Sequence, residues 1–149
     1  MNKQKGFTII ELIVVVAIIA VLAGIVMVSV VTYINKGKNA AIIGNLDTIT
    51  KGGTIYFASN NSYTGGLEDF CDSSYVTGPR SAIINAGSNE DEFRCRNSDG
   101  TWCACATLLG GSNDTFCVDY TGYKKEINLE GVFCDSRCKD EDTKYCADE

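Results

Sequence analysis

A chain of 149 residues with one long apolar run has room for an anchored segment and one small domain, and no room for a two-domain enzyme. Its formal charge of −6 is unevenly spread: Lys3 and Lys5 make the start cationic, and the whole acidic excess lies beyond residue 57. An acidic distal part argues against nucleic acid as a partner, and the basic pairs Lys36/Lys38, Arg94/Arg96 and Lys124/Lys125 read as solvated surface.

Residues 12–31 carry no ionisable side chain and are almost wholly Leu, Ile, Val, Ala, Gly and Met. At ~1.5 Å rise per residue this run crosses the ~30 Å hydrocarbon layer of a bilayer, and it outlasts the ~7–15-residue core of a cleaved secretory signal. Glu11 stands one turn inside the apolar segment, where an unpaired carboxylate costs about 2–3 kcal/mol or more. Downstream there is no cation before Lys36, which the rise per residue puts on the far side of a bilayer. A cut between Gly6 and Phe7 would create an α-amino group one helical turn before Glu11, at the spacing where helix neighbours face each other.

The string Lys5-Gly6-Phe7-Thr8-Ile9-Ile10-Glu11-Leu12 resembles the leader-and-cleavage motif of type IV pilins and of the pseudopilins of type II secretion. That resemblance implies that a membrane aspartic peptidase, the prepilin peptidase, removes residues 1–6 as a leader. Phe7 then becomes the N-terminus and is N-methylated, and Glu11 registers each incoming subunit during assembly. It further implies membrane lipid as the partner before assembly, an inner-membrane assembly platform, and finally copies of the same chain. The location it implies is a single-pass cytoplasmic-membrane precursor that ends in an extracellular or periplasmic filament. The N-terminus-inside orientation comes from the resemblance, since Lys3 and Lys5 before the span are matched by Lys36 and Lys38 after it. The sequence departs from many members in one respect: Val28 stands where they carry a mid-span proline, and the one proline of the chain is Pro79.

Beyond the span, Ile42, Leu46, Ile49, Gly53 and Tyr56 recur at the period of one helix face, with Asn39, Asp47 and Lys51 elsewhere. Residues 35–57 therefore read as the amphipathic half of one helix whose membrane or filament-core half is 7–34. Gly24, Gly37, Gly44 and Gly52-Gly53 are expected to weaken it locally at about 1 kcal/mol each.

From residue 58 the composition turns to Ser, Asn, Gly, Tyr, Asp and Cys. Asn60-Asn61, Gly65-Gly66, Gly78-Pro79, Asp99-Gly100 and Gly110-Gly111 read as turns, so 58–100 is expected to be a connecting loop region. An antiparallel sheet of about three strands is expected in 101–134, with strands at 101–109, 115–121 and 126–134. Trp102, Ala104, Ala106 and Leu108 alternate onto one face, as do Phe116, Val118 and Tyr120, and this face should lie on Ile42, Leu46 and Ile49. The expected fold is α+β and pilin-like: a long N-terminal helix on a small antiparallel head, 58–149.

All eight cysteines, Cys71, Cys95, Cys103, Cys105, Cys117, Cys134, Cys138 and Cys146, lie in the head. An even set on one side of a span points to an oxidising compartment and disulfides. Histidine is absent, and Cys103-x-Cys105 and Cys134-x3-Cys138 are not the paired knuckles of a zinc ribbon. Alternation turns Cys103, Cys105 and Cys117 away from the helix, and a symmetric hairpin would set Cys117 opposite Thr107. Their partners are expected from the loop carrying Cys71 and Cys95 and from the segment carrying Cys134, Cys138 and Cys146, the sheet ending at 134 and the cysteine-containing tail being 135–149; the connectivity itself is open.

Without histidine there is no His-based nucleophile pair, no Cys-x-x-Cys pair for redox catalysis, and no Gly-rich phosphate loop between a strand and a helix. The reading is of a protein that is not an enzyme and uses no cofactor. Asp135, Asp140, Glu141 and Asp142 are weak calcium candidates that lack an ordered loop signature. Three functions fit: a structural subunit of a type IV pilus-like filament, a pseudopilin or minor pilin of a secretion or DNA-uptake system, and an anchored cysteine-rich binding domain that never polymerises.

Overall fold

The computed structural model describes residues 6–111 and 114–128, together with Cys134, Cys138 and Cys146; Val28 is described for its backbone alone. The chain divides into two compact units, Met1–Ile34 and Asn35–Glu149. Helix α1 (Ile9–Asn60) supplies residues to both.

In the first unit the described side chains from Gly6 onward are all exposed, and the helix there is long and apolar enough to cross a membrane by length and composition. Among the described residues, nothing within the unit covers Ile9, Ile10, Leu12, Ile13 or the large apolar side chains after them. Continuous helix matches a run with few turn-forming residues, and Ser29 bonds back to the Ile25 carbonyl at 3.4 Å rather than breaking the ladder.

The second unit is built around the remainder of α1. Ile42, Leu46 and Ile49 are fully buried and Tyr56 nearly so, the stripe expected from the 3.6-residue period. The helix ends where Asn61 takes a left-handed φ of 54°, a conformation asparagine tolerates better than other side chains. Four strands follow in a simple meander, all antiparallel: β1 (Arg94–Asn97), β2 (Trp102–Thr107), β3 (Asp114–Asp119) and β4 (Lys124–Asn128). Trp102, Ala104, Ala106 and Val118 form one core with Ile42, Leu46 and Ile49. Phe116 packs against the same core from a partly buried position. The opposite face holds a second cluster in which Cys103, Cys105 and Cys117 meet Cys134, Cys138 and Cys146.

Several expectations are corrected. Residues 58–100 are not a plain loop: they hold α2 (Ser74–Ala86), two single-turn 3-10 helices at Phe70–Asp72 and Glu90–Glu92, and β1. Gly78-Pro79 lies inside α2 rather than in a turn. An interior proline costs about 3 kcal/mol, and burial of Val76 and Ile83, two turns apart on one face, opposes that cost. The helix closes at Gly87, whose φ of 117° lets its N–H reach the Ile84 carbonyl at 2.9 Å while Ser88 reaches Ile83. Among the described residues the sheet has four strands rather than three, because Arg94-Cys95-Arg96 pairs with β2 at its edge despite lacking apolar alternation. β4 starts before the expected 126–134, and residues 129–133 lie outside the described set. Tyr120 falls past the end of β3 and is 42% exposed, its N–H held by the Trp102 carbonyl at 3.1 Å.

The hairpin register also differs. Cys117 stands opposite Cys105, and Thr107 faces Thr115. The shift of two preserves which side chains point inward, since only an odd slip exchanges the faces. The Leu108 N–H on the Asp114 carbonyl at 2.7 Å carries the same register one pair further into the loop, and Asn39 of α1 holds Leu109 there.

Gly52 and Gly53 serve contact rather than looseness. A Cβ on Gly52 would lie 2.8 Å from the Tyr75 Cβ, and one on Gly53 2.7 Å from the Trp102 indole nitrogen, so both glycines let the head close onto the helix.

Candidate functional site

The N-terminal segment carries the expected processing and assembly residues. Gly6, Phe7 and Thr8 precede the first turn of α1, and Phe7 is 91% exposed. A Cβ on Gly6 would meet nothing within 4 Å. The bond between Gly6 and Phe7 sits in non-helical chain.

Glu11 is the third residue of α1, and in the uncleaved chain it has a neutral hydrogen-bond partner one turn back. Its Oε2 accepts the Thr8 backbone N–H at 2.8 Å and the Thr8 hydroxyl at 2.9 Å, while Thr8 Oγ1 accepts the Glu11 N–H at 3.3 Å. This reciprocal pair is a capping box, in which a hydroxyl at the N-cap and an acid three residues on satisfy helix donors that have no partner in the ladder. The negative charge also lies at the positive end of the helix dipole. Thr8 is the residue that charge-counting misses; Thr-x-x-Glu ahead of an apolar run is the signal that finds it.

In the head all eight cysteines are bonded: Cys71–Cys95, Cys103–Cys138, Cys105–Cys134 and Cys117–Cys146. The tail partners all three outward cysteines of the sheet, whereas the loop cysteines, expected as a second source of partners, bond each other. The sulfurs of Cys105, Cys117 and Cys138 lie within 4.8 Å of one another. Each belongs to a disulfide, so none is the thiolate a metal would need. Asp135, Asp140, Glu141 and Asp142 lie outside the described residues.

Electrostatics join α1 to β4. Asp47 bonds Lys124 and also Lys51, the latter at 2.7 Å, and the two ammonium groups hold its carboxyl down to about 2, Lys124 contributing most. Burial raises the Tyr63 hydroxyl above its ordinary range.

An exposed apolar N-terminal helix, an opening turn with a capped glutamate and a stapled antiparallel head define a pilin-like protein. Residues 1–27 match the prokaryotic N-terminal methylation motif. Over 110 residues, 72% of this chain and 84% of the relative, the chain is 29% identical to the type IV wide pilus major component PilA4 of Thermus thermophilus. It is 48% identical over 46 residues to Fimbrial protein Q of Moraxella bovis, and likewise to the type IV major alpha-pilin of that organism. Those two matches span 31% of this chain and 29% of each relative, less than a third of either Moraxella protein. No solved structure matches the chain. Its N-terminal motif and these relatives make the chain similar to type IV pilins.

Proposed function

We propose that the chain is the precursor of a structural subunit of a type IV pilus-like filament. Residues 1–6 act as the leader, 7–34 anchor the precursor in the cytoplasmic membrane, and the prepilin peptidase cuts between Gly6 and Phe7. The new N-terminus at Phe7 is methylated, and an inner-membrane platform then assembles copies of the chain into an extracellular or periplasmic filament. The reading contains no catalytic step and no cofactor.

The observation that carries it is the first unit, whose described apolar side chains have no cover of their own. Apolar surface left in water costs about 25 cal/mol per Å², so this helix needs lipid before assembly and other helices after it. Glu11 suits both environments. Both hydrogen bonds it accepts from Thr8 fall on Oε2, which leaves Oε1 to meet the amine of Phe7 in its own or a neighbouring subunit. The relative from Thermus thermophilus, a pilus component by name, supports the reading over most of the chain.

Intact mass and N-terminal fragmentation of sheared surface filaments test it. The expected species starts at Phe7 with one added methyl group. Filaments that retain Met1, or a protein found only as an uncut membrane monomer, would overturn the reading.

A further inference from the structure

The outer face of the sheet carries a two-by-two grid of buried side chains at adjacent register positions: Cys103 opposite Asp119, and Cys105 opposite Cys117. Three positions hold sulfur and the fourth a carboxylate. Sulfur proximity does not choose the pairing here, because Cys105, Cys117 and Cys138 lie within 4.8 Å of one another yet belong to three different bridges. Directly opposed strand residues have Cα atoms about 4.5–5.5 Å apart, inside the range of about 4.4–6.8 Å that a disulfide spans. A Cys105–Cys117 bridge is therefore open to the chain, and it would strand Cys134 and Cys146.

Asp119 breaks this degeneracy. Its Oδ1 accepts the Thr121 N–H at 2.9 Å, the Thr121 hydroxyl at 2.6 Å and the Tyr123 N–H at 3.3 Å, which fixes the carboxylate in the β3–β4 turn. Its Oδ2 is turned the other way and accepts the backbone N–H of Cys146 at 3.0 Å, at a site where Asp119 is 1% exposed. The Cys138 N–H, by contrast, is spent within the tail on the Cys134 carbonyl.

We propose that Asp119 is the pairing determinant of the tail: by seating the Cys146 N–H on Oδ2 it delivers the Cys146 sulfur to Cys117 and keeps Cys117 from Cys105. The co-reactant is a disulfide such as glutathione disulfide. The Cys117 thiolate attacks it to form a mixed disulfide and releases one glutathione thiolate. The Cys146 thiolate then displaces the second, and two electrons and two protons end on two glutathione thiols. The carboxylate reacts with neither sulfur. It acts by orientation, raising the local concentration of one thiolate over its competitors.

The test is refolding of the reduced full chain in detergent micelles under a glutathione redox buffer, with bridges mapped by non-reducing digestion and mass spectrometry. Asp119→Asn can keep an oxygen towards Thr121 while presenting an N–H₂ to the Cys146 N–H, so it removes the tail contact selectively. Thr121→Val loosens the turn and leaves Oδ2 untouched. The expected result is a fall of about tenfold or more in the ratio of Cys117–Cys146 to Cys105–Cys117 in Asp119→Asn, the size of effect a lost charge-assisted hydrogen bond has. Thr121→Val should stay near the parental ratio, and Cys71–Cys95 should form in both. A parental map in Asp119→Asn, equal scrambling in Thr121→Val, or loss of Cys71–Cys95 along with the tail bridge would each overturn the assignment.

Discussion

Asn39 meets the backbone of Leu109 with both ends of its side-chain amide: Nδ2 donates to the Leu109 carbonyl at 2.9 Å, and Oδ1 accepts the Leu109 N–H at 2.7 Å. One side chain of α1 thereby satisfies both backbone groups of a residue in the β2–β3 loop. Asn39→Ala leaves both without their protein partner, and the expected loss is about 1–3 kcal/mol of head stability. Denaturant unfolding of the oxidised protein measures it. A midpoint equal to the parent's would mean that water replaces the amide at no cost.

Gly53 and Gly44 should respond in opposite senses to alanine. In an open helix position the exchange gains up to about 1 kcal/mol, and Gly44 is open, with nothing within 4 Å of the added carbon. At Gly53 the same carbon would lie 2.7 Å from Trp102 Nε1, in a core where the indole is 1% exposed and has no room to withdraw. Gly53→Ala is expected to lose about 1–3 kcal/mol net. Equal shifts in the two variants would show that the indole yields.

Acid should weaken the α1–β4 link over a defined window. Lys124 and Lys51 hold Asp47 at about 2, below its ordinary 3.8, so the pair contributes fully above pH 3.8 and its contribution fades as pH falls towards 2. Because the Asp47 side chain is 34% exposed, solvent screening limits the effect to under about 1 kcal/mol. Stability measured from pH 5 to 2 should fall less steeply in Lys124→Gln than in the parent; identical slopes would remove the pair from the acid response.

Thr8 and Glu11 separate capping from charge. Glutamine at the third helical position still completes a capping box, so Glu11→Gln keeps the first turn and loses the charge. Thr8→Val keeps the charge and loses the hydroxyl. If Glu11 acts in assembly through an ion pair in a dry core, Glu11→Gln leaves a cleaved, inserted, disulfide-bonded monomer. Its ratio of sheared to membrane-held protein should drop more than tenfold, consistent with about 3–5 kcal/mol for an uncompensated partner charge. Thr8→Val should be much milder. The reverse order, in a strain without a parental copy, would assign Glu11 to helix capping alone.

The elements legible in the sequence are those where one physical signal acts alone. The apolar run and the Ile42, Leu46, Ile49, Tyr56 stripe are set by burial period, and the inward faces of β2 and β3 by strand alternation. The elements that escaped are those where two signals conflict. Gly78-Pro79 favours a turn while Val76 and Ile83 favour a buried helix, and tertiary burial prevails. Arg94 and Arg96 hide an edge strand whose inward residue, Cys95, is held by a bridge to Cys71 that local sequence does not announce. Register depends on how a loop closes, and besides its own Leu108–Asp114 bond that loop is held by Asn39, some 70 residues away. At the N-terminus, Glu11 read as a charge suggests an ionic partner, whereas its partner in the structure is the neutral Thr8 one turn back.

Helix α1 contains none of the eight cysteines, and this decides how the head answers a pull. The sheet is cross-linked to its tail by three bridges and to the preceding loop by a fourth, so it resists tension as one block. Between that block and the helix there is apolar contact, the Asn39 amide and the Asp47–Lys124 pair, and no covalent tie before the backbone leaves the helix at Asn60. Load applied along α1 therefore parts the helix from the sheet before it opens the sheet. The contact between them is a mechanical fuse: it can slip and reseat while the cross-linked block keeps its shape.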